Sequence, residues 1–157
     1  MKELVLEVGK LLKDNKQTLS VAESCTGGLL AKYITDISGS SEYFKLGVVT
    51  YSNEAKSTVL KIAPELIAKH GAVSEQTAIA MAVNVRQILN TDWALSITGI
   101  AGPKSDNTAK PVGLVYICLV SPNRIICKYN LFPDKGRAYI RQQSVKIALN
   151  LIKEALI

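Results

Sequence analysis

The sequence is poor in the residue types on which many hydrolases and metalloenzymes depend. It contains a single histidine, His70, which stands between a predicted helix end and Gly71. That position favours a capping or surface role, so the base of any hydrolytic site must be another residue. No HExxH motif, paired carboxylates or Cys/His cluster is present. We therefore expect no metal and no cofactor.

Cysteines are equally scarce. Cys25, Cys118 and Cys127 form an odd set without a CxxC pair, which predicts neither a disulfide framework nor a zinc site and fits a reducing cytoplasm. Charges interrupt the amino-terminal segment too often for a signal peptide, and no apolar run approaches the length of a membrane span. We expect a cytoplasmic protein with no membrane partner.

Positive charge is in excess but is not concentrated anywhere. The formal net charge is +6, yet the lysines and arginines are scattered singly and are not interleaved with aromatic residues, which make up only 6% of the chain. This distribution excludes nucleic acid as the expected partner. A basic surface of this kind favours a small anionic ligand.

The apolar spacing predicts one domain, residues 1–157, with the order α-β-α-β-α-α-β-β-β-α. We expect an α/β fold, a layered α/β/α single domain with helices packed on a mixed, mainly parallel sheet. Ser52 and Ser74 are predicted to cap helices, and Pro64 to begin one. The predicted strands are Thr18 to Ala22, Phe44 to Tyr51, Trp93 to Thr98, Val112 to Val120 and Ile125 to Leu131.

A lysine can replace histidine as a base, and Lys56 is the candidate. It follows an apolar strand and lies on a short predicted helix, a half-buried position with hydroxyl and amide neighbours. Burial strips water from an ammonium group and lowers its pKa, which leaves an amine that can accept a serine proton. An exposed lysine paired with a carboxylate is the competing interpretation, and spacing alone does not place a nucleophile beside it.

The turn from Glu23 to Gly28 joins a predicted strand to a predicted helix. Backbone N–H groups and the dipole at a helix start bind anions and also lower the pKa of a thiol. Two uses follow, a phosphate site at Thr26, Gly27 and Gly28 or a reactive thiol at Cys25. The phosphate site is the more economical interpretation.

Six short segments carry a resemblance that covers nearly the whole chain. They are Ala22 to Gly28, Gly39 to Ser41, Tyr51 to Lys56, His70 to Glu75, Thr98 to Pro103 and Lys110 to Gly113. In this order they resemble the carboxy-terminal domain of the CinA (competence/damage-inducible protein) family. Stand-alone members of that family resemble bacterial nicotinamide mononucleotide (NMN) deamidases. The resemblance implies an amidohydrolase that converts NMN to nicotinate mononucleotide and ammonia in pyridine-nucleotide salvage.

The resemblance also implies a serine–lysine mechanism. Ser41, the second serine of the Gly39 to Ser41 loop, would be the nucleophile and Lys56 its base, with Tyr51 and Thr98 as supporting hydroxyls. The substrate-binding residues that it implies are Glu23, Ser24, Cys25, Thr26, Gly27, Gly28, Gly39, Ser40, Asn53, Gly99, Ile100 and Gly102. A homo-oligomer is expected on the same basis.

Two segments depart from the family pattern, the loop Lys104 to Ala109 and the segment Pro133 to Arg141. The second departure leaves open whether Arg137 or Arg141 contacts the phosphate. Two rival functions also remain open. One is a cysteine amidase built on Glu23, Cys25 and Lys56, and the other is a non-catalytic nucleotide-binding module.

Overall fold

Strands and helices alternate through most of the chain, and the computed structural model describes every residue, 1–157. The order of elements follows the prediction except that three helices, not two, lie between the second and third strands, and one turn of 3-10 helix is added at Ser40–Glu42. The helices are α1 Lys2–Asp14, α2 Leu29–Thr35, α3 Asn53–Leu60, α4 Pro64–His70, α5 Glu75–Leu89 and α6 Arg137–Leu156. The strands are β1 Leu19–Glu23, β2 Phe44–Val49, β3 Trp93–Gly99, β4 Leu114–Ser121 and β5 Arg124–Leu131.

Local capping chemistry sets where the helices around the site begin and end. The Ser52 Oγ accepts a hydrogen bond from an amide in the first turn of α3, and Ser74 caps α5 in the same way. Pro64 occupies the first turn of α4, and Gly71 ends that helix with a φ of 85°. These predicted caps are confirmed. None of the helices has the length and apolar character needed to cross a membrane.

The five strands form one sheet in the order β2-β1-β3-β4-β5. The two pairings made by β1 are parallel, whereas β3 with β4 and β4 with β5 are antiparallel. The predicted layered α/β fold on a mixed sheet is confirmed, with half of its strand pairings parallel. The chain leaves β1 over one face of the sheet and returns to β3 over the other, so a crevice opens at the carboxyl ends of these two neighbours.

The two faces of the sheet are covered by different helices. Odd-numbered residues of β1 and β3, such as Val21 and Leu95, belong to a buried cluster with residues of α1, α2 and α6. Even-numbered residues, such as Ala22 and Ala94, pack instead with α3, α4 and α5. All five residues of β1 are buried, as expected for a strand covered on both sides. A polar side chain that follows β1 or β3 at an even position therefore faces α3 to α5.

The expectation of no disulfide is wrong for one pair of cysteines. Cys118 on β4 and Cys127 on β5 are directly opposite each other in the antiparallel ladder, with a Cα–Cα distance of 4.1 Å, and their sulfur atoms are bonded. Counting and spacing could not reveal this pair because the register of the hairpin, not the sequence separation, brings the two residues together. Cys25 is the one free cysteine.

Candidate active site

A cavity of about 410 Å³ opens at the carboxyl ends of β1 and β3. Its size falls in the range of small-molecule sites. Five parts of the chain line it: the end of β1, the β2–α3 connection with α3, the α4–α5 turn, the segment that continues β3 through residue 108, and the start of α6. Because each part ends or begins a regular element, the cavity is assembled by the fold and not by one continuous motif.

Lys56 and Ser24 meet at the base of this cavity. The Lys56 Nζ lies 2.9 Å from the Ser24 Oγ and donates a second hydrogen bond, of 2.8 Å, to the carbonyl oxygen of Thr50. Ser24 follows β1 at an even position, and its N–H donates to the Ile97 carbonyl of β3, which extends the parallel ladder by one residue. The side chain of Ser24 is therefore directed toward α3, the helix that carries Lys56.

Lys56 is a buried amine without an acidic partner. Its side chain is 1% exposed, and none of the protein's ion pairs includes it. Burial lowers the pKa of its ammonium from 10.5 to about 8. The predicted pKa-lowered lysine is thus present, and roughly one molecule in ten carries the neutral amine at pH 7.

The serine predicted to partner Lys56 lies elsewhere. Ser41 is exposed in the short helical turn that precedes β2, and its carbonyl oxygen accepts a hydrogen bond from Lys45. Lys56 follows the other end of β2, a strand of six residues that spans roughly 20 Å. Ser41 therefore cannot reach Lys56, and its assignment as the nucleophile is corrected. Gly39 and Ser40 belong to the same turn and do not line the cavity.

In the turn predicted to hold phosphate, the amides at the start of α2 are already bonded to the carboxylate of Glu23. Glu23 is buried, and its two carboxylate oxygens accept hydrogen bonds of 2.9 and 3.0 Å from the amides of Leu30 and Ala31 in the first turn of α2. The positive end of that helix is therefore already neutralised by an anion. Because of this, the phosphate site predicted at residues 26–28 is corrected, and Glu23 is a capping residue.

The two supporting hydroxyls have different surroundings. Thr98 is buried, and its Oγ1 donates a 2.8 Å hydrogen bond to the carbonyl oxygen of Ala72. Tyr51 is 62% exposed at the rim, where its hydroxyl accepts a 3.3 Å hydrogen bond from Arg137. Both residues line the cavity, so the structure does bring Thr98 and Tyr51 to the site.

The remaining predicted binding residues divide between the cavity and the structure that surrounds it. Cavity-lining members of the predicted set are Ser24, Cys25, Asn53, Gly99, Ile100 and Gly102. Thr26, Gly27 and Gly28 lie outside the lining and shape the turn into α2, where both glycines adopt positive φ. Thr26 is fully buried, and its carbonyl oxygen accepts from Arg141 at 2.7 Å. Arg141 therefore stabilises that turn through a hydrogen bond to its backbone.

Comparison with known proteins gives the chain a family. Residues 1–156 match the model of the CinA C-terminal domain. The chain belongs to the CinA family. It is 50% identical over 152 residues to a CinA-like protein of Trichormus variabilis, with 96% of this chain and 36% of that protein covered. It is 48% identical to a putative competence-damage inducible protein of Thermoanaerobacter pseudethanolicus over all of this chain and 37% of that one. The chain thus spans a little over a third of these curated relatives.

Solved structures give the same family relationship. The competence/damage inducible protein CihA from Agrobacterium tumefaciens is 38% identical with a TM-score of 0.94, covering 99% of this chain and 94% of that one. A CinA superfamily protein from Klebsiella pneumoniae 700603 is 32% identical with a TM-score of 0.95, covering 99% and 96%. The CinA domain described here therefore has the backbone of its relatives over its whole length.

Cys25 is next to the Ser24–Lys56 pair in this CinA domain but has the wrong properties for a nucleophile. Its side chain is 6% exposed, and burial raises the pKa of its thiol to about 12. The thiolate is the reactive form of cysteine, so the thiol stays protonated and unreactive at neutral pH. The Glu23 carboxylate, the second member of the cysteine-based triad considered above, is occupied by the amides of α2.

Several residues of the CinA site were missed by sequence reasoning. Ala72 and Val73 line the cavity from the α4–α5 turn, and Lys104 lines its mouth together with Arg137, the residue left open above as a phosphate contact. The Lys110 Nζ donates to two carbonyl oxygens of the same turn, those of His70 and Val73. The segments His70 to Glu75 and Lys110 to Gly113 were noted only as matching motifs. Nothing in their spacing shows that they touch.

No group of three or more His, Cys, Asp or Glu side chains comes together anywhere in the CinA domain in a way that could hold a metal ion. The polar side chains that line the cavity include the Ser24 hydroxyl, which is paired with the Lys56 amine, and the charged groups of Lys104, Asp106 and Arg137. Such a set supplies a nucleophile, a base and hydrogen-bond donors.

Proposed function

We propose that this CinA domain is an amidohydrolase that converts NMN to nicotinate mononucleotide and ammonia, with Ser24 as the nucleophile and Lys56 as its base. The observation that carries the proposal is the 2.9 Å contact between the Lys56 Nζ and the Ser24 Oγ inside a cavity. A serine hydroxyl needs an adjacent base to become nucleophilic, and a neutral lysine amine can supply one.

The surroundings of Lys56 suit this role. In the ammonium form Nζ donates to both neighbours. In the neutral form the Ser24 hydroxyl donates to the Nζ lone pair, while Nζ still donates to the Thr50 carbonyl. Loss of the proton therefore leaves neither the Lys56 amine nor the Ser24 hydroxyl without a hydrogen-bond partner. The Thr50 contact also fixes the direction of the amine with respect to the hydroxyl.

The proposed reaction proceeds through an ester. The Ser24 Oγ attacks the carboxamide carbon as its proton passes to Lys56, which forms a tetrahedral oxyanion. Collapse of this intermediate breaks the C–N bond, and the Lys56 ammonium returns the proton to the departing nitrogen, which leaves as ammonia. Water then attacks the acyl ester as Lys56 accepts a proton from it, and the Ser24 hydroxyl is regenerated as nicotinate mononucleotide is released.

Positive charge at the mouth of the cavity supports an anionic substrate. Arg137 and Lys104 supply two positive charges to the rim, and Asp106 supplies one negative charge. The Arg137 guanidinium donates to the Gly102 carbonyl and to the Tyr51 hydroxyl, which hold it at the mouth. Arg137 also begins α6, whose positive end lies there. We assign the phosphate of the mononucleotide to this rim in place of the turn before α2.

The rival functions explain fewer of these features. A cysteine amidase needs a thiolate, whereas burial holds the pKa of Cys25 at about 12. A binding module that lacks catalysis has no use for a buried amine beside a hydroxyl, since burial of an ionisable group without a counter-charge reduces stability. Lys56 is such a group.

Release of ammonia from NMN tests the proposal directly. We expect steady release from NMN, much less from the riboside and less again from free nicotinamide, because both lack the phosphate that the rim binds. Mass spectrometry of a quenched reaction should place the acyl group on Ser24. Binding of NMN without any loss of ammonia would instead favour the non-catalytic module.

A further inference from the structure

Side-chain hydrogen bonds from outside the α4–α5 turn, residues 70–73, fix its carbonyl groups. Lys110 donates from one ammonium group to the carbonyl oxygens of His70 and Val73. Lys110 ends the loop whose residues 104–106 and 108 form another wall of the cavity. One side chain therefore ties two walls of the proposed active site together.

The next carbonyl of the turn is also occupied. The Gly71 oxygen accepts hydrogen bonds from the Oγ of Ser74, the N-cap of α5, at 2.9 Å and from the Oγ1 of Thr77, in the first turn of α5, at 2.7 Å. The Gly71–Ala72 peptide is trans, so the Ala72 N–H points in the opposite direction, away from α5. Ala72 lines the cavity, and its N–H has no acceptor in the protein. The Ala72 N–H is therefore a free donor at a residue that lines the cavity.

This donor lies close to the proposed nucleophile. The Ala72 carbonyl oxygen accepts from the Thr98 Oγ1 at 2.8 Å, and Thr98 is the residue of β3 that lies beside Ser24, because the Ser24 N–H bonds to the Ile97 carbonyl. Neighbouring strands are about 4.8 Å apart. Ala72 and Ser24 thus flank Thr98 on the same face of the sheet, the face that carries Lys56.

We infer that the backbone N–H of Ala72 is a catalytic hydrogen-bond donor that stabilises the oxyanion formed when Ser24 attacks, with Ser74 and Thr77 as positioning residues for it. The inference rests on the proposed function, since it needs an acyl-transfer intermediate. Fixed donors are the groups that stabilise such an intermediate best, because they need no reorganisation when charge develops.

Val73 provides a matched control within the same turn. Its N–H also lacks an acceptor in the protein and its residue also lines the cavity. The carbonyl across the Ala72–Val73 peptide points to Thr98, so the Val73 N–H points away from Thr98 and from Ser24. The two amides are one residue apart and differ in direction.

Replacement of single amides by esters tests the inference. Ala72 is replaced by lactic acid in the full chain, which removes its N–H but keeps its methyl group, and Val73 is replaced by its hydroxy-acid analogue in a second protein. We expect the ester at Ala72 to lower kcat for NMN by about 100-fold with KM changed less than threefold, as for loss of one oxyanion donor. The ester at Val73 should lower kcat at least tenfold less than the ester at Ala72 does.

A side-chain variant checks the result without an ester, which also weakens the Gly71 carbonyl as an acceptor. Thr77→Val removes one of the two hydroxyls that bond that carbonyl and keeps the side-chain shape, so kcat should fall by about 3- to 10-fold with KM unchanged. The thermal midpoint of each protein is measured first, so that loss of folding is distinguished from loss of the donor.

The outcomes separate this inference from the proposed function. Full activity of the Ala72 ester, or equal losses for both esters, would overturn the role of the Ala72 N–H while Ser24→Ala still abolishes turnover. Normal turnover by Ser24→Ala would overturn the serine mechanism itself and the inference with it. A low kcat confined to the Ala72 ester supports the inference.

Discussion

Two serine-containing turns lie at opposite edges of the same sheet. Ser24 follows β1 at the carboxyl edge, is 8% exposed and contacts a buried amine. Ser41 precedes β2 at the amino edge, is exposed, and only its backbone carbonyl is engaged, by Lys45. The difference shows that the position of a serine relative to the strand ends decides whether it can belong to a site, because α/β folds open their crevices at the carboxyl edge of the sheet.

The lysines at the two edges differ in burial. Lys45 at the amino side is exposed and donates to a nearby carbonyl, whereas Lys56 is buried against Ser24 and Thr50, which follow β1 and β2. Burial lowers the pKa of Lys56 to about 8, so the carboxyl edge carries the proposed base. The predictions below test whether the chemistry is confined to this edge.

The largest difference is expected between the two serines. Ser24→Ala should lower kcat for ammonia release from NMN by at least about 1,000-fold, because the nucleophile is lost. Ser41→Ala, the matched control, should stay within twofold, since its hydroxyl lies a strand length from Lys56. Both should unfold near the wild-type temperature. A Ser41→Ala enzyme that loses activity as severely would place the chemistry at the amino edge after all.

Substitution of the base should be nearly as damaging. Lys56→Arg is expected to fail as completely as Lys56→Ala, because a guanidinium stays protonated and cannot accept the serine proton. The double variant with Ser24→Ala should be hardly worse than either single one. Retention of near-normal turnover by Lys56→Arg would show that the residue supplies only positive charge.

The wild-type pH profile should carry the signature of Lys56. Its amine is active when neutral and its pKa is about 8, so kcat/KM should rise about tenfold per pH unit below 8 and level off above it. Rates measured from pH 6 to 9.5 test this on the wild-type enzyme, with unfolding followed at each pH. A profile that falls over this range would require an acid in place of the base.

A smaller effect is expected at the mouth of the cavity. Arg137→Gln should raise KM for NMN by about 10-fold or more, because the rim loses its charge-assisted bonds to the phosphate, while kcat/KM for the riboside changes little. Lys135→Gln is the control, since Lys135 is exposed nearby and does not line the cavity. Equal losses with both substrates would remove the phosphate from Arg137.

The smallest effect is expected at the residue next to the nucleophile. Cys25→Ala should keep kcat within about threefold, because a thiol with a pKa near 12 takes no part in chemistry at neutral pH. Iodoacetamide should likewise leave the wild-type rate unchanged. Loss of activity in Cys25→Ala comparable to that in Ser24→Ala would revive the cysteine amidase.

Much of the fold follows from local chemistry. Apolar spacing predicted the element order apart from one helix between β2 and β3, and the caps at Ser52 and Ser74 together with Pro64 predicted three helix starts. These are interactions between residues a few positions apart, which a sequence displays directly. Lys56 could be identified in the same way, because an apolar strand followed by a capped helix predicts a half-buried lysine.

The sequence by itself therefore determined the layered fold, the candidate base and the family to which the motifs belong. Only the tertiary structure decided which serine lies beside Lys56, that Glu23 occupies the helix start expected to bind phosphate, and that Cys118 pairs with Cys127. Each of these depends on the order and register of strands that are distant in sequence. Strand register fixes which side chains share a face, and no local spacing records it.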